Sequence, residues 1–232
     1  MVPPSRRAFG EALRWALLRL EGLGLGLSYR MAVHTLRMRV FGVEHLAAVG
    51  GTTPVILAVW HGQTHLLLPI VHRLPTTKSR LTILPDDERG VTLGAAAGWV
   101  NFEGFPISMQ DNSLGGARRL LALLRRLESG DLLMINPDGP YGPPRVAKSG
   151  LAFLAQRSGA VVLPMGSTTR TCYRLRRWDR YALPLPFSRV TVVVRPPLTA
   201  GPDEPRATVL TRITDEMNAA LKEAESWHDR AI

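Results

Sequence analysis

"VILAVWHGQTHLLLP", residues 55–69, decides how the chain is read. An unbroken apolar run reaches Trp60, breaks at His61-Gly62 and resumes at Leu66. A short apolar run without alternation suits a strand covered on both faces, the kind found in parallel sheets. "PVILAVW" is therefore a predicted buried strand. "THLLLPIVHRL" is a predicted helix that Pro69 kinks or shortens.

The same pattern recurs outward from this stretch. "RLTILP", "DLLMINP", "AVVLPMG" and "RVTVVVRP" read as strands, and "TLRMRVFG" as a strand with alternating arginines. "GARRLLALLRRLESG" reads as a helix with Leu120, Leu123, Leu124 and Leu127 on one face, ended by Gly130. "SGLAFLAQRSG" is a helix closed by Gly159. "ATVLTRITDEMNAALKEAE" closes the chain with Val209, Ile213, Met217, Ala220 and Leu221 on one face. Pro and Gly cluster at 139–144 and 196–205, which read as loops. Strands alternating with helices predict an α/β fold: one domain, 35–232, with a central mostly parallel sheet flanked by helices. Before it, residues 1–34 form an N-terminal amphipathic basic segment. Phe9, Leu13, Ala16, Leu17 and Leu20 share a face over 8–21, and "GLGLGL" (22–27) is expected to end that helix. Such a helix either packs on a core or lies on anionic lipid.

Composition narrows the partners. Of 232 residues 45% are hydrophobic, enough for a core and too many for disorder. The single cysteine, Cys172, allows no intrachain disulfide and suits a reducing compartment. No signal-like apolar region opens the chain, and no run approaches the roughly 20 apolar residues of a spanning helix. Lys+Arg number 29 against 19 Asp+Glu, for a net charge of +10 and a pI near 10.9. Such a surface seeks anionic lipid, nucleic acid or phosphorylated substrates. A genome that favours Arg and Ala would give the same excess. Seven arginines (6, 7, 14, 19, 30, 37 and 39) face only Glu11 and Glu21 in the first forty residues.

Chemistry is expected beyond the carboxyl ends of the strands. His61-Gly62 follows "PVILAVW"; Asp86, Asp87 and Glu88 follow "RLTIL"; Asp138 follows "DLLMI"; "MGSTTR" follows "AVVLP". A histidine and carboxylates on one edge suit a general base and its orienting acid. Each alone has a plain reading: a loop histidine, a solvated turn, a Pro-Asp-Gly turn. "HGQTH" spaces two histidines for a metal, but it lacks the Glu of the zinc-protease helix and carries Gly there, so no metal is expected. No GxSxG elbow or P-loop is present.

"RVFGVEHL" before "WHG", then "TILPDDE", "NSLGGARRLL", "NPDGPYGPPRVAKSGLAFLAQRSGAVVLP" and "RRWDRYALPLPFSRV" carry a resemblance over roughly 35–200. In that order they resemble the lysophospholipid acyltransferase superfamily, the PlsC-like glycerolipid acyltransferases, and within it a bacterial branch of unknown function. The Asp-Gly-Pro block and the Trp-Asp/Pro-Phe-Ser ending are the specific parts; "WHG" alone is weak. The resemblance implies transfer of a fatty acyl group from acyl-CoA or acyl-carrier protein to a hydroxyl of a lysophospholipid or other lipid-linked acceptor. No cofactor beyond that co-substrate is implied. His61 would be the general base, and backbone N–H groups near the Asp138-Gly139 turn would stabilise the oxyanion.

Departures from the family pattern redirect the site. The family places Asp five residues after the His; here that position is Leu66. The branch pattern points instead to Asp86, with Glu88 beside it, as the acid partner. Phosphate-associated arginines of the second and third blocks are replaced by Met109 and Tyr141, and Met cannot do the work of a planar guanidinium. Arg118, Arg119, Arg145 or Lys148 would then take the acceptor, or the acceptor is not a simple phosphomonoester, or activity is lost. Asp138, Gly139, Pro140, Tyr141, Lys148, Arg118 and Arg119 are the expected substrate-binding residues. The expected setting is cytoplasmic, peripheral on the inner face of the cell membrane, with an anionic membrane surface as partner and no nucleic acid. Two other readings stand beside this one. One is a non-catalytic basic domain binding lipid or nucleic acid, for which "RTCYRLRRWDR" (170–180) interleaves Arg with aromatics. The other is a thioesterase or lipid hydrolase using His61 on water.

Overall fold

Strand β2 (Val55–Val59) lies near the middle of a seven-stranded sheet, and all five of its side chains are buried. The structure is a computed structural model that describes residues 6–51, 53–74, 78–107 and 114–230. Alternation sends Val55, Leu57 and Val59 into the core on one face of the sheet, and Ile56, Ala58 and Trp60 into the core on the other. With apolar layers on both sides, no position in the strand is left for a polar residue. This accounts for the unbroken run in the sequence.

The other strands of the sheet are β1 (Arg37–Phe41), β3 (Arg80–Pro85), β4 (Phe102–Ile107), β5 (Leu132–Ile135), β6 (Val161–Thr168) and β9 (Arg189–Val194). Their order is β1-β9-β6-β2-β5-β3-β4. The block β6-β2-β5-β3-β4 is parallel throughout. β9 runs antiparallel to β6, and β1 runs parallel to β9. The chain builds outward from β2 to β3 and β4, returns to β5, and then passes to β6 on the opposite side of β2. The strand order therefore turns around β2, and the crevice beyond its carboxyl end is where such sheets bind ligands. The remaining strands, β7 (Cys172–Arg174) and β8 (Ala182–Pro184), make a separate antiparallel hairpin.

Helices α1 (Arg6–Thr35), α2 (Thr64–His72) and α3 (Glu88–Gly98) contribute to the core on one face. Helices α4 (Leu114–Glu128), α5 (Gly150–Ser158) and α6 (Arg206–Asp229) cover the other. The stripes expected on α4 and α6 are in that core, except that Ala220 packs in a small separate cluster with Val193 and Ala224. Pro69 falls inside α2, which stops after nine residues. Arg80 Nη2 donates to the His72 and Leu74 carbonyls just past its end. Gly159 closes α5 in the left-handed conformation, φ 64°. α3 and β4 come from 88–107, and β7–β8 from 172–184, stretches that carry no clean period.

The glycines at 22, 24 and 26 do not end α1, contrary to the expectation; the helix continues to Thr35. A Cβ on Gly22 would lie 2.8 Å from Ala95 Cβ and from the Thr92 carbonyl, and one on Gly26 2.6 Å from the Trp99 ring. Two glycines one turn apart let α1 seat directly on α3, and that contact outweighs their poor helix propensity. The seam is reinforced by Thr92 Oγ1 donating to the Leu18 carbonyl. The stripe that packs is thus Gly22, Gly26, Tyr29, Ala32, Val33 and Leu36, not the predicted one. Leu13, Ala16, Leu17 and Leu20 are exposed, Leu20 at 61%, and the side chain of Phe9 lies outside those described.

Candidate active site

His61 opens a 3₁₀ turn, His61–Gln63, directly after β2. Its backbone N–H donates to Asp138 Oδ1 at 3.0 Å. The buried Asp138 also accepts the Arg145 N–H on its other oxygen at 3.1 Å. Asn136, one step past β5, donates to the Val59 carbonyl and to Thr64 Oγ1, both at 3.0 Å. Gln63 Oε1 accepts the Ser167 N–H from β6. The ends of β2, β5 and β6 are therefore tied together around one imidazole.

The imidazole's acid partner is Asp179. His61 Nδ1 and Asp179 Oδ2 are 2.6 Å apart. The Asp179 side chain is fully buried, while that of His61 is 24% exposed. Asp179 lies in the connection between β7 and β8, and its second oxygen accepts the Tyr181 N–H at 3.3 Å. Arg177 Nη2 stands 3.5 Å from Oδ2 on the solvent side. With Nδ1–H donating to the carboxylate, Nε2 keeps its lone pair, which is the tautomer a general base needs. Two glycines make room for this pair. A Cβ on Gly62 would stand 2.3 Å from the Asp179 carbonyl oxygen, so only glycine lets the hairpin come this close. A Cβ on Gly139 would stand 3.0 Å from His61 Cδ2 and 3.8 Å from Nε2, so glycine keeps that edge open. Trp178 and Tyr181 flank the imidazole, with ring centroids at 5.3 and 5.9 Å.

The expected pairing of His61 with Asp86 is not found. Asp86 is half-exposed and forms an ion pair with Arg119. Glu88 pairs with Arg14 of α1 at 2.7 Å. Asp87 caps α3 by accepting the Arg89 and Gly90 N–H groups. It also binds the Arg89 side chain, which holds its carboxyl below the usual range. All three acids of the β3 exit are thus taken by arginines or backbone N–H groups other than those of the His61 site. The signal for Asp179 lies in the sequence, where it is the lone acid among six arginines over 170–189. No strand of the main sheet leads into it, so a search restricted to strand exits passes it by.

The Asp138–Pro143 turn has its own bonds. The Gly139 N–H donates to the Asn136 carbonyl, so it is not available to an oxyanion. The Gly139–Pro140 and Gly142–Pro143 peptides are cis. Lys148 Nζ donates to the Gly139 carbonyl at 2.7 Å and so sits beside the turn that faces His61. Tyr141 is exposed, and its hydroxyl accepts from Arg89 Nη2 at 2.9 Å with the guanidinium 5.4 Å from its ring. Arg118 is exposed on α4. Met109 lies outside the described residues.

His65 is separate from His61. Its ring is buried, with Nε2 3.3 Å from the Ser28 carbonyl and an edge contact to Tyr29 at 4.8 Å. Burial lowers its pKa from 6.5 to about 4, so it is neutral at neutral pH. Burial raises the Tyr29 and Tyr181 phenols, whose oxygens are 3.4 Å apart. Histidine and tyrosine rings therefore run in a buried file from α1 to the His61–Asp179 pair.

The fold and the site together define a class, an α/β fold with a mostly parallel sheet and a carboxylate-held histidine at the end of its central strand. In particular, the structure is similar to the crystal structure of the 1-acyl-sn-glycerophosphate (LPA) acyltransferase, PlsC, from Thermotoga maritima, with a TM-score of 0.56 and 14% identity. That match covers 92% of this chain and 82% of the other, and at this identity the likeness is one of fold. In sequence the chain is similar to an uncharacterized protein of Rickettsia prowazekii (strain Madrid E), 28% identical over 152 residues. The alignment covers 65% of this chain and 66%, just under two thirds, of that protein. No family model matches.

Proposed function

We propose that the protein transfers a fatty acyl group from an acyl thioester, acyl-CoA or acyl-carrier protein, to a hydroxyl of a lysophospholipid or other lipid-linked acceptor. The observation that carries this reading is the His61–Asp179 pair, with Nδ1 bound to a buried carboxylate and the Nε2 edge left open beside Gly139. His61 Nε2 takes the proton of the acceptor hydroxyl as its oxygen attacks the thioester carbonyl carbon. The C–S bond breaks, and the departing thiolate takes the proton back from Nε2–H. Asp179 keeps the ring in the required tautomer and stabilises the imidazolium formed between these steps. Lys148 supplies a positive charge beside the turn for the developing oxyanion. Arg89 and Tyr141 offer donors at the neighbouring exit for the acceptor's head group, and Arg118 is a further exposed cation on α4.

A peripheral membrane setting fits α1. Its core-packed stripe is matched on the opposite side by exposed Leu13, Leu17, Leu20, Leu27 and Met31, with Arg19 and Arg30 along one border. A helix with a second apolar face and basic flanks suits the interface of an anionic bilayer. No helix among the described residues is long and apolar enough to cross a membrane. The test is mass-spectrometric analysis of products made from acyl-CoA and 1-acyl-glycerophosphate presented in vesicles. Wild type is expected to give a diacylated lipid, and His61→Ala to give at least about a thousandfold less. Identical products from both, or free fatty acid without acylated acceptor, would overturn the assignment.

A further inference from the structure

The β7–β8 hairpin has two unlike faces. Cys172 and Ala182 turn inward and join the core on the α1–α2 side of the sheet. Alternation therefore turns Tyr173 and its partner Leu183 outward, and Leu185 beyond them. Tyr173 is 60% exposed, Leu185 51% and Phe187, just past β8, 63%. The segment that carries this patch is strongly basic, although Glu225 and Asp229 of α6 line a cavity together with Arg170, Tyr173 and Arg174. Arg170, Arg174, Arg176, Arg177, Arg180 and Arg189 lie in the same segment, and the only acid between 170 and 189 is Asp179, which is buried against His61. Arg170 is paired with Asp229; Arg174, Arg176 and Arg180 are exposed. Three exposed large apolar side chains in so short and arginine-rich a segment suit a partner that is apolar within and anionic at its surface.

We infer that the outer face of the β7–β8 hairpin is a second contact with an anionic lipid surface, independent of α1. Charge complementarity selects this occupant: arginines meet the head groups while Tyr173, Leu185 and Phe187 enter the interfacial zone, where aromatic rings are favoured. The inward faces of the hairpin and of α1 lie in one core cluster. The hairpin also carries Asp179, and Tyr181 ties that end of it to Tyr29 of α1. Lipid contact at the hairpin thus bears on the segment that orients His61. This inference rests on the acyltransferase reading for its purpose, but its test does not use turnover.

The experiment is hydrogen exchange on the full chain with vesicles of phosphatidylcholine alone and of phosphatidylcholine mixed with phosphatidylglycerol. Exchange over 171–187 is expected to slow on the mixed vesicles. A Tyr173→Ser, Leu185→Ser, Phe187→Ser triple variant is expected to co-sediment with them at least about tenfold more weakly, at an unchanged melting temperature. Unchanged hairpin exchange while α1 gains protection would overturn the proposal, as would wild-type sedimentation of the triple variant. Protection by a single-stranded oligonucleotide but not by vesicles would overturn it in favour of nucleic acid. Hairpin protection in a protein that makes no acylated lipid would refute the acyltransferase reading and leave this one standing.

Discussion

His65 shows what burial does to one side chain. Its folded pKa is about 4 against 6.5 for a free imidazole. Above pH 6.5 both folded and unfolded states hold it neutral. Between 6.5 and 4 the unfolded state takes up a proton that the folded state refuses, so stability falls as pH falls. The total loss is about 3 kcal/mol at the low end. His65→Leu is expected to flatten that part of the stability–pH curve in urea titrations, and an unchanged slope would contradict it. The two histidines of "HGQTH" part company in the fold: His61 follows the strand, and His65, the second residue of α2, is buried with it. Reading which carboxylate meets His61 is harder. Asp86 and Asp179 both follow apolar or aromatic residues, and only the tertiary path of the hairpin brings one of them within 2.6 Å of Nδ1.

Among the elements, α1 and the hairpin were the least legible. Glycine signals a helix end when its neighbours are unknown, and the opposite when a second helix lies against it. Gly22 and Gly26 face α3 with no room for a Cβ, so Gly26→Val is expected to destabilise the fold by about 1–3 kcal/mol in thermal or denaturant unfolding. Gly24 has open space around it, and Gly24→Ala is expected to be neutral or slightly stabilising. Equal effects at positions 24 and 26 would contradict this packing. Gly62 is limited by the hairpin rather than by its own turn, so Gly62→Ala is expected to cut activity while the core stays folded. A full loss of structure by circular dichroism would contradict that. α4, α5 and α6 read correctly because each buries one regular face, α2 because its whole apolar run from His65 to Val71 is buried, and β2 and β5 because they bury two faces. α3 begins at an Asp cap, but its Gly- and Ala-rich face shows no apolar stripe to read.

At the scale of the molecule, six of the seven strands of the sheet had visible patterns, while β4 and the reversal of β9 and β1 did not. Periodicity gives a strand's faces but not its direction. The charge of +10 acts over the whole surface. Binding to vesicles containing phosphatidylglycerol is expected to weaken as salt rises from low ionic strength toward 1 M, where the screening length is about 3 Å. Salt-insensitive binding would mean that apolar insertion alone holds the protein. The chemistry rests on one pair of residues and on the correction of its partner. The most direct test is kcat/KM for acyl transfer in Asp179→Asn and Asp86→Asn, measured beside wild type with both variants confirmed folded. Asp179→Asn is expected to lose about a thousandfold or more, because an asparagine favours the wrong imidazole tautomer, and Asp86→Asn to stay within about threefold. A collapse of Asp86→Asn with Asp179→Asn near wild type would contradict the site described above.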